Sequence, residues 1–237
     1  MPLGMKLALA AALAVVLLPA RGAFAADDLD KVLRKLDEAA SIFHTTSADF
    51  KFDTIETDPV YDDDEQTGVI YYERQGNKFQ MGAHFDKHNK KPSPKIYTYS
   101  NGVFQLFEPG INQVTILTKA NKFESYVMLG FGASGKDLQA KWDIKDLGPE
   151  NLPDGKTTVK TEKLELVAKD PEFRRNLTMA TIWVDLDRAV NLRQELHFGA
   201  TSTRICVYTN IKVNVPKSIP ADAFTFNTDH KTQINKQ

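Results

Sequence analysis

Between Ser47 and Asn214 apolar and polar residues alternate with a period of two, run after run, and each run ends at a turn signal. Only an extended strand sends alternate side chains to opposite faces, so this spacing predicts β-structure for most of the chain. Ala48, Phe50, Phe52 and Thr54 share one face of the first run; Asp49, Lys51 and Asp53 share the other. Thr67–Arg74 follows, Gln75-Gly76-Asn77 supplies a hairpin turn, and Lys78–Phe85 sets Phe79, Met81, Ala83 and Phe85 against Lys78, Gln80, Gly82 and His84. Further strands are predicted over Lys95–Ser100, Val103–Glu108, Gln113–Thr118, Lys141–Gly148, Thr157–Ala168, Leu177–Leu186, Val190–Phe198 and Thr201–Asn214. In the last of these Ile205, Val207, Ile211 and Val213 are read as one face. About eleven strands joined by short links become antiparallel neighbours. Right-handed twist accumulates across so many strands and curls the sheet. The fold class is therefore mainly β (α+β), one large curved antiparallel sheet, and no linker or repeat divides it.

A curled sheet needs cover on its concave face. Leu29, Val32, Leu33, Leu36, Ala39, Ala40 and Phe43 fall at helical spacing and give one apolar stripe, capped by Asp27 or Asp28. Asn121–Leu138 interrupts the strands and is read as one or two short helices with a loop. Two such pieces leave the concave side either packed or hollow. Fourteen Phe against two Trp suit an adaptable apolar lining, since Phe and Met need no hydrogen-bond partner. Composition leaves the choice open.

The N-terminus predicts a destination. Lys6 precedes an apolar run, Leu7–Leu18, too short to span a bilayer. Ala23-Phe24-Ala25 then offers a small-x-small cleavage signal. Residues 1–25 read as a secretory signal peptide, cleaved near Ala25, and residues 26–237 as a single exported domain. A formal net charge of −1 lacks the basic footprint of a nucleic-acid binder. The one cysteine, Cys206, has no partner for an intramolecular disulfide and lies far from the cleavage junction, so no lipid is attached there. It reads as a small buried hydrophobe, with a reactive thiol as the alternative.

Chemical motifs are tested and fall short. Gly130–Lys136 has the glycine and lysine spacing of a phosphate loop, but Asp137 stands where a Ser or Thr would hold magnesium. His84-x-Asp86-x-His88 lacks a third ligand at metal-site spacing. Asp62-Asp63-Asp64-Glu65 lacks the alternation and glycine of a calcium loop and is read as a solvated loop. Ser134 misses a nucleophile elbow because Lys136 occupies the last position. The expectation is a binding protein that is not an enzyme, with no cofactor and no metal.

The order and spacing of several segments resemble the bacterial periplasmic lipoprotein carriers, the LolA-like family. They are the N-terminal helix leading into SADFKFD (Ser47–Asp53), GVIYYERQGNKFQM (Gly68–Met81), NGVFQLFEPGINQVT (Asn101–Thr115), LGFGASGKDL (Leu129–Leu138), DGKTTVKTEKLELVAKD (Asp154–Asp170), TIWVDLD (Thr181–Asp187) and PADAFTF (Pro220–Phe226). Ala168, where the family commonly has proline, and the acidic Asp62–Glu65 run depart from the pattern. The resemblance implies an unclosed half-barrel with lid helices over a hydrophobic cavity. It also implies a periplasmic chaperone that shields the acyl chains of lipoproteins between an inner-membrane releasing transporter and an outer-membrane receptor. Such a carrier is peripheral to membranes, not inserted, and a monomer. Arg74 matches the arginine that bonds lid backbone carbonyls, and Phe79 lies close to an aromatic associated with lid and cargo. Phe50, Phe52, Met81, Phe85, Leu106 and Leu196 complete the candidate cavity and lid residues. Burial of an acyl chain is worth about 0.8 kcal/mol per methylene. A pocket partly filled by its own side chains offsets part of that gain, which keeps cargo releasable. Alternatives are a regulatory sensor on the same half-barrel, whose relatives usually carry a second C-terminal domain, and a carrier of other lipids such as glycolipids.

Overall fold

The computed structural model describes residues 22–76, 78–118 and 129–237. A long helix, α1 (Gly22–Ser41), precedes strands β1 (Thr45–Glu56), β2 (Asp62–Gln75), β3 (Lys78–His88), β4 (Lys91–Ser100), β5 (Val103–Glu108) and β6 (Gln113–Leu117). Helix α2 (Gly135–Lys141) leads into β7 (Trp142–Asp154) and β8 (Thr157–Ala168), and the single turn α3 (Pro171–Arg174) into β9 (Met179–Asp185), β10 (Val190–Phe198), β11 (Ser202–Val213) and β12 (Gln233–Lys236). All twelve strands form one sheet in the order β12-β6-β5-β4-β3-β2-β1-β11-β10-β9-β8-β7. The sheet does not close on itself, giving an unclosed half-barrel.

Three differences from the sequence reading have physical causes. The predicted sheet is purely antiparallel with about eleven strands; β12, four exposed residues without an apolar face, adds a parallel pair with β6. The acidic run Asp62–Glu65, read as a loop, begins β2 and pairs with Glu56 back to Asp53 of β1. Along β11 the alternation is interrupted at Asn210, which has φ 54, where the register with β1 shifts. Cys206 and Tyr208 are consequently buried before the bulge and Ile211 after it, so Ile205 and Val207 do not share a face with Ile211 and Val213. An extra residue on one strand is enough to swap faces. Most of the expected leader, and residues 121–128 of the expected helical interruption, lie outside the described residues. Among those described, no helix is long and apolar enough to cross a membrane.

The concave face is covered unequally. The stripe on α1 (Val32, Leu33, Leu36, Ala39, Ala40) packs with Leu138 of α2 against Leu164 and Leu166 of β8, Ile182 and Val184 of β9 and Leu196 of β10. Each fully buried Leu or Ile there contributes roughly 1.5–3 kcal/mol. Beyond β10, α1 gives way to Phe43 and Phe131, which pack with Phe50, Ile70, Tyr72, Phe79, Met81, Tyr99 and Tyr208 in a second cluster. Two rings replace a helix there, and the interior is short of protein atoms.

Candidate functional site

That shortfall is a cavity of about 360 Å³. Strands β1 to β5 supply Phe50, Phe52, Ile70, Tyr72, Met81, Phe85, Tyr97 and Phe104, and β10 and β11 close the other wall with Leu196, Cys206 and Tyr208. The rings form a connected series: Phe50 to Phe85 at 4.8 Å, Phe85 to Tyr97 at 5.0 Å and Tyr97 to Phe104 at 5.5 Å between centroids. Gly68 makes room for it, since a Cβ there would lie 2.8 Å from the Phe50 ring and 2.1 Å from the His84 carbonyl oxygen. Three polar residues of the lining, Thr54, Gln66 and Arg204, gather toward the β1–β2 turn, Thr54 pairing with Arg204 and Phe52 with Gln66, while a fourth, Gln194, lies at the other end. Burial pushes the Tyr97 phenol up, and it pushes the Cys206 thiol up to about 12. A thiol so raised stays protonated at neutral pH and is a poor nucleophile.

At the opposite end the segment 129–134 forms a lid anchored on two strands. Its backbone joins β10 and the turn before it through Asn191 N to Gly130 O at 2.7 Å and Gly132 N to Ala189 O at 2.8 Å. Gln194 Nε2 also donates to the Leu129 carbonyl. From β2, the Arg74 guanidinium donates to Gly132 O at 2.7 Å and to Ala40 O at 3.4 Å, and lies 5.8 Å from the Phe43 ring centroid. Between the anchors Phe131, fully buried, stacks on Tyr72 at 4.3 Å and meets Tyr208 edge-on at 4.8 Å. Gly132 has φ +67, and a Cβ there would lie 2.4 Å from Phe43, so only glycine turns this carbonyl toward Arg74.

Of the eight sequence candidates, Phe50, Phe52, Met81, Phe85 and Leu196 line the cavity. Arg74 binds the lid carbonyl. Phe79 is buried beside Tyr72, at 5.5 Å, rather than on the cavity wall. Leu106 shares the β5 face with Phe104, but only Phe104 reaches the cavity. The remaining motifs have local duties. Asp137, which spoils the phosphate loop, completes a capping box with Ser134 at the start of α2. His84 bonds the Ala223 carbonyl at 3.1 Å, Asp86 accepts from Thr67 at 2.6 Å, and His88 bonds Asp64.

No family model matches the sequence, and no curated protein matches it. Solved structures do. An uncharacterised conserved protein from Thermus thermophilus matches at 11% identity over 89% of this chain and 99% of that chain, with a TM-score of 0.53. MucB matches at 11% identity over 88% of this chain and 66% of that chain, with a TM-score of 0.51. The LolA superfamily protein NE2245 from Nitrosomonas europaea matches at 13% identity over 84% of this chain and 97% of that chain, with a TM-score of 0.39. The chain shares its fold with the Thermus thermophilus protein and with MucB. At these identities the likeness is one of fold alone. Within the half-barrel the cavity, the ring series and the lid are properties of this chain's own side chains.

Proposed function

We propose that this chain is a periplasmic carrier that shields the acyl chains of lipoproteins while they pass from the inner to the outer membrane. The observation that carries the reading is the 360 Å³ cavity walled by Phe, Tyr, Met, Ile and Leu, within the ordinary range of ligand pockets. The lid supports it: Phe131 fills one end with the protein's own hydrocarbon, so cargo gains only the difference between its burial and that of the ring. Export through the predicted leader, a monomeric state, a releasing transporter and an outer-membrane receptor belong to the same proposal. So does the absence of catalysis.

A second reading, a regulatory or lipid-sensing protein on the same half-barrel, draws on the likeness in fold to MucB. Native mass spectrometry of the protein isolated from its own periplasm separates the two. An attached acylated protein is the expected result. Free lipid alone would replace lipoprotein with another lipid cargo, and an unacylated signalling partner would favour the second reading.

A further inference from the structure

One charged side chain of the cavity has no hydrogen-bond or ion-pair partner among the described residues. Arg204 lies on β11 opposite Thr54 of β1 and Leu196 of β10, among Phe52, Phe85, Tyr97 and Phe104. Its guanidinium stacks on the Phe198 ring at 4.5 Å, which fixes its plane. Its Nε is buried and makes no hydrogen bond. Among the described residues no hydrogen bond and no ion pair is formed to the Arg204 side chain. The carboxylates of the same rim are engaged elsewhere: Asp64 accepts from Gln66 at 2.9 Å and is bonded by His88, and Glu56 accepts from Ser202 at 2.5 Å. The other half-buried arginines also leave single nitrogens unpaired, Arg188 at Nη2 and Arg193 at Nε, but each binds through the rest of its guanidinium: Arg74 two carbonyls, Arg188 two carboxylates and Arg193 one.

An always-charged fork of donors, held by a ring at the mouth of an apolar hollow, is stable only if something outside the protein satisfies it. Water does so in part, and an anion does so better: a charge-assisted, bidentate pair with a carboxylate or phosphate is among the strongest of hydrogen-bonded contacts. We infer that Arg204 is the headgroup anchor of the cavity, selecting amphiphiles in which a carboxylate or phosphate is joined directly to a hydrocarbon chain. The chain enters among Phe52, Phe85 and Phe104 while the anion stays at the rim beside Thr54 and Gln66. This rests on the reading of the cavity as a hydrocarbon site and adds a charge to its ligand; acyl chains attached to a protein are neutral esters or amides, so the anchor serves a free anionic lipid taken into the same cavity.

The test uses three probes of one chain length, dodecanoate, dodecyl phosphate and dodecanol, titrated at neutral pH and below micelle formation into the wild-type protein, Arg204→Gln and Arg204→Lys. Expected is at least about tenfold tighter binding of both anions than of the alcohol, the scale of one charge-assisted contact. Arg204→Gln should bring both anions down to the affinity of dodecanol, and Arg204→Lys should keep most of the preference. Preference for only one anion assigns the headgroup within the proposal. Equal binding of all three by the wild type, or an equal loss of all three in Arg204→Gln, overturns the anchor and leaves the cavity standing. Binding of none overturns the cavity and the anchor together.

Discussion

Arg74 adds a charged anchor to a lid that backbone bonds and Gln194 also hold. Hydrogen bonds to a charged donor are worth roughly 1.5–3 kcal/mol each, and Arg74 donates to Gly132 and Ala40. Arg74→Leu removes the closed lid's advantage, and a ligand gains whatever closure no longer opposes. We expect Arg74→Leu to unfold about 2 kcal/mol more easily in urea, to lose amide protection at 129–134, and to accept cargo but hand it over poorly. Unchanged hand-over alongside unchanged protection would remove the latch. At this scale the sequence was informative wherever alternation alone decided the matter: Phe50, Phe52, Met81 and Phe85 stand on the face their spacing assigned. It was blind to depth along a strand. Leu106 and Phe104 share parity, and only the curl of the sheet decides which reaches the hollow. Tyr97 and Arg204 were missed for a related reason. Arg204 has the parity of Cys206 and Tyr208, but the bulge at Asn210 hid which face was inward.

Elements meet most tensely where α1 lies beside β7 and β8. Asp28, Lys31 and Lys35 of α1 face Asp146 of β7, Lys160 and Glu162 of β8, and Asp187 across one groove. Burial, and then Asp146, raise the Glu162 carboxyl to about 7. A carboxyl held above its unfolded value favours the folded state while it stays protonated. Stability therefore falls as pH rises from the ordinary glutamate value through about 7. We expect Glu162→Gln to match the wild type in urea midpoint near about pH 4 and to exceed it above about pH 8; parallel curves at both would exclude this groove as the source. A second contact between elements is the C-terminal strap. Ala223 is fully buried over β3, where a Cβ on Gly82 would lie 1.8 Å from its carbonyl oxygen. Phe226 stacks on Phe107 at 5.1 Å, and β12 then pairs with β6. An uncovered edge strand invites association, so removing residues 233–237 should yield concentration-dependent oligomers in light scattering while circular dichroism stays unchanged. PADAFTF was legible as a segment of resemblance, but its docking was not, because tail residues without periodicity carry no sign of the surface they cover.

The whole molecule is half core and half container, and the division follows α1. Filling the container should separate binding from stability. Ala83 lines the cavity and is buried, and Ala83→Phe places a ring in the hollow without displacing a core side chain. We expect an unchanged or higher thermal midpoint and at least about tenfold weaker uptake of an apolar fluorescent probe. Undiminished uptake would place the ligand elsewhere. The half-barrel could be read from alternation, turn spacing and twist, whereas the hollow could not, since volume is set by which half of the sheet a helix covers. One wall is also fastened. Arg188, in the turn before β10, joins Asp185 at 2.6 Å and Asp154 at 3.0 Å, while Asp154 accepts from the Ile211 amide of β11 at 3.1 Å. These partners are largely buried, and breaking such a pair costs about 3–5 kcal/mol. The tip of the β7–β8 hairpin is thereby riveted to β11, whereas the β3–β6 flank is held by the C-terminal strap and has no buried ion pair among the described residues. Any widening for a bulkier guest then falls to that flank, swinging like a door on the β1–β11 seam, and the jamb keeps its shape.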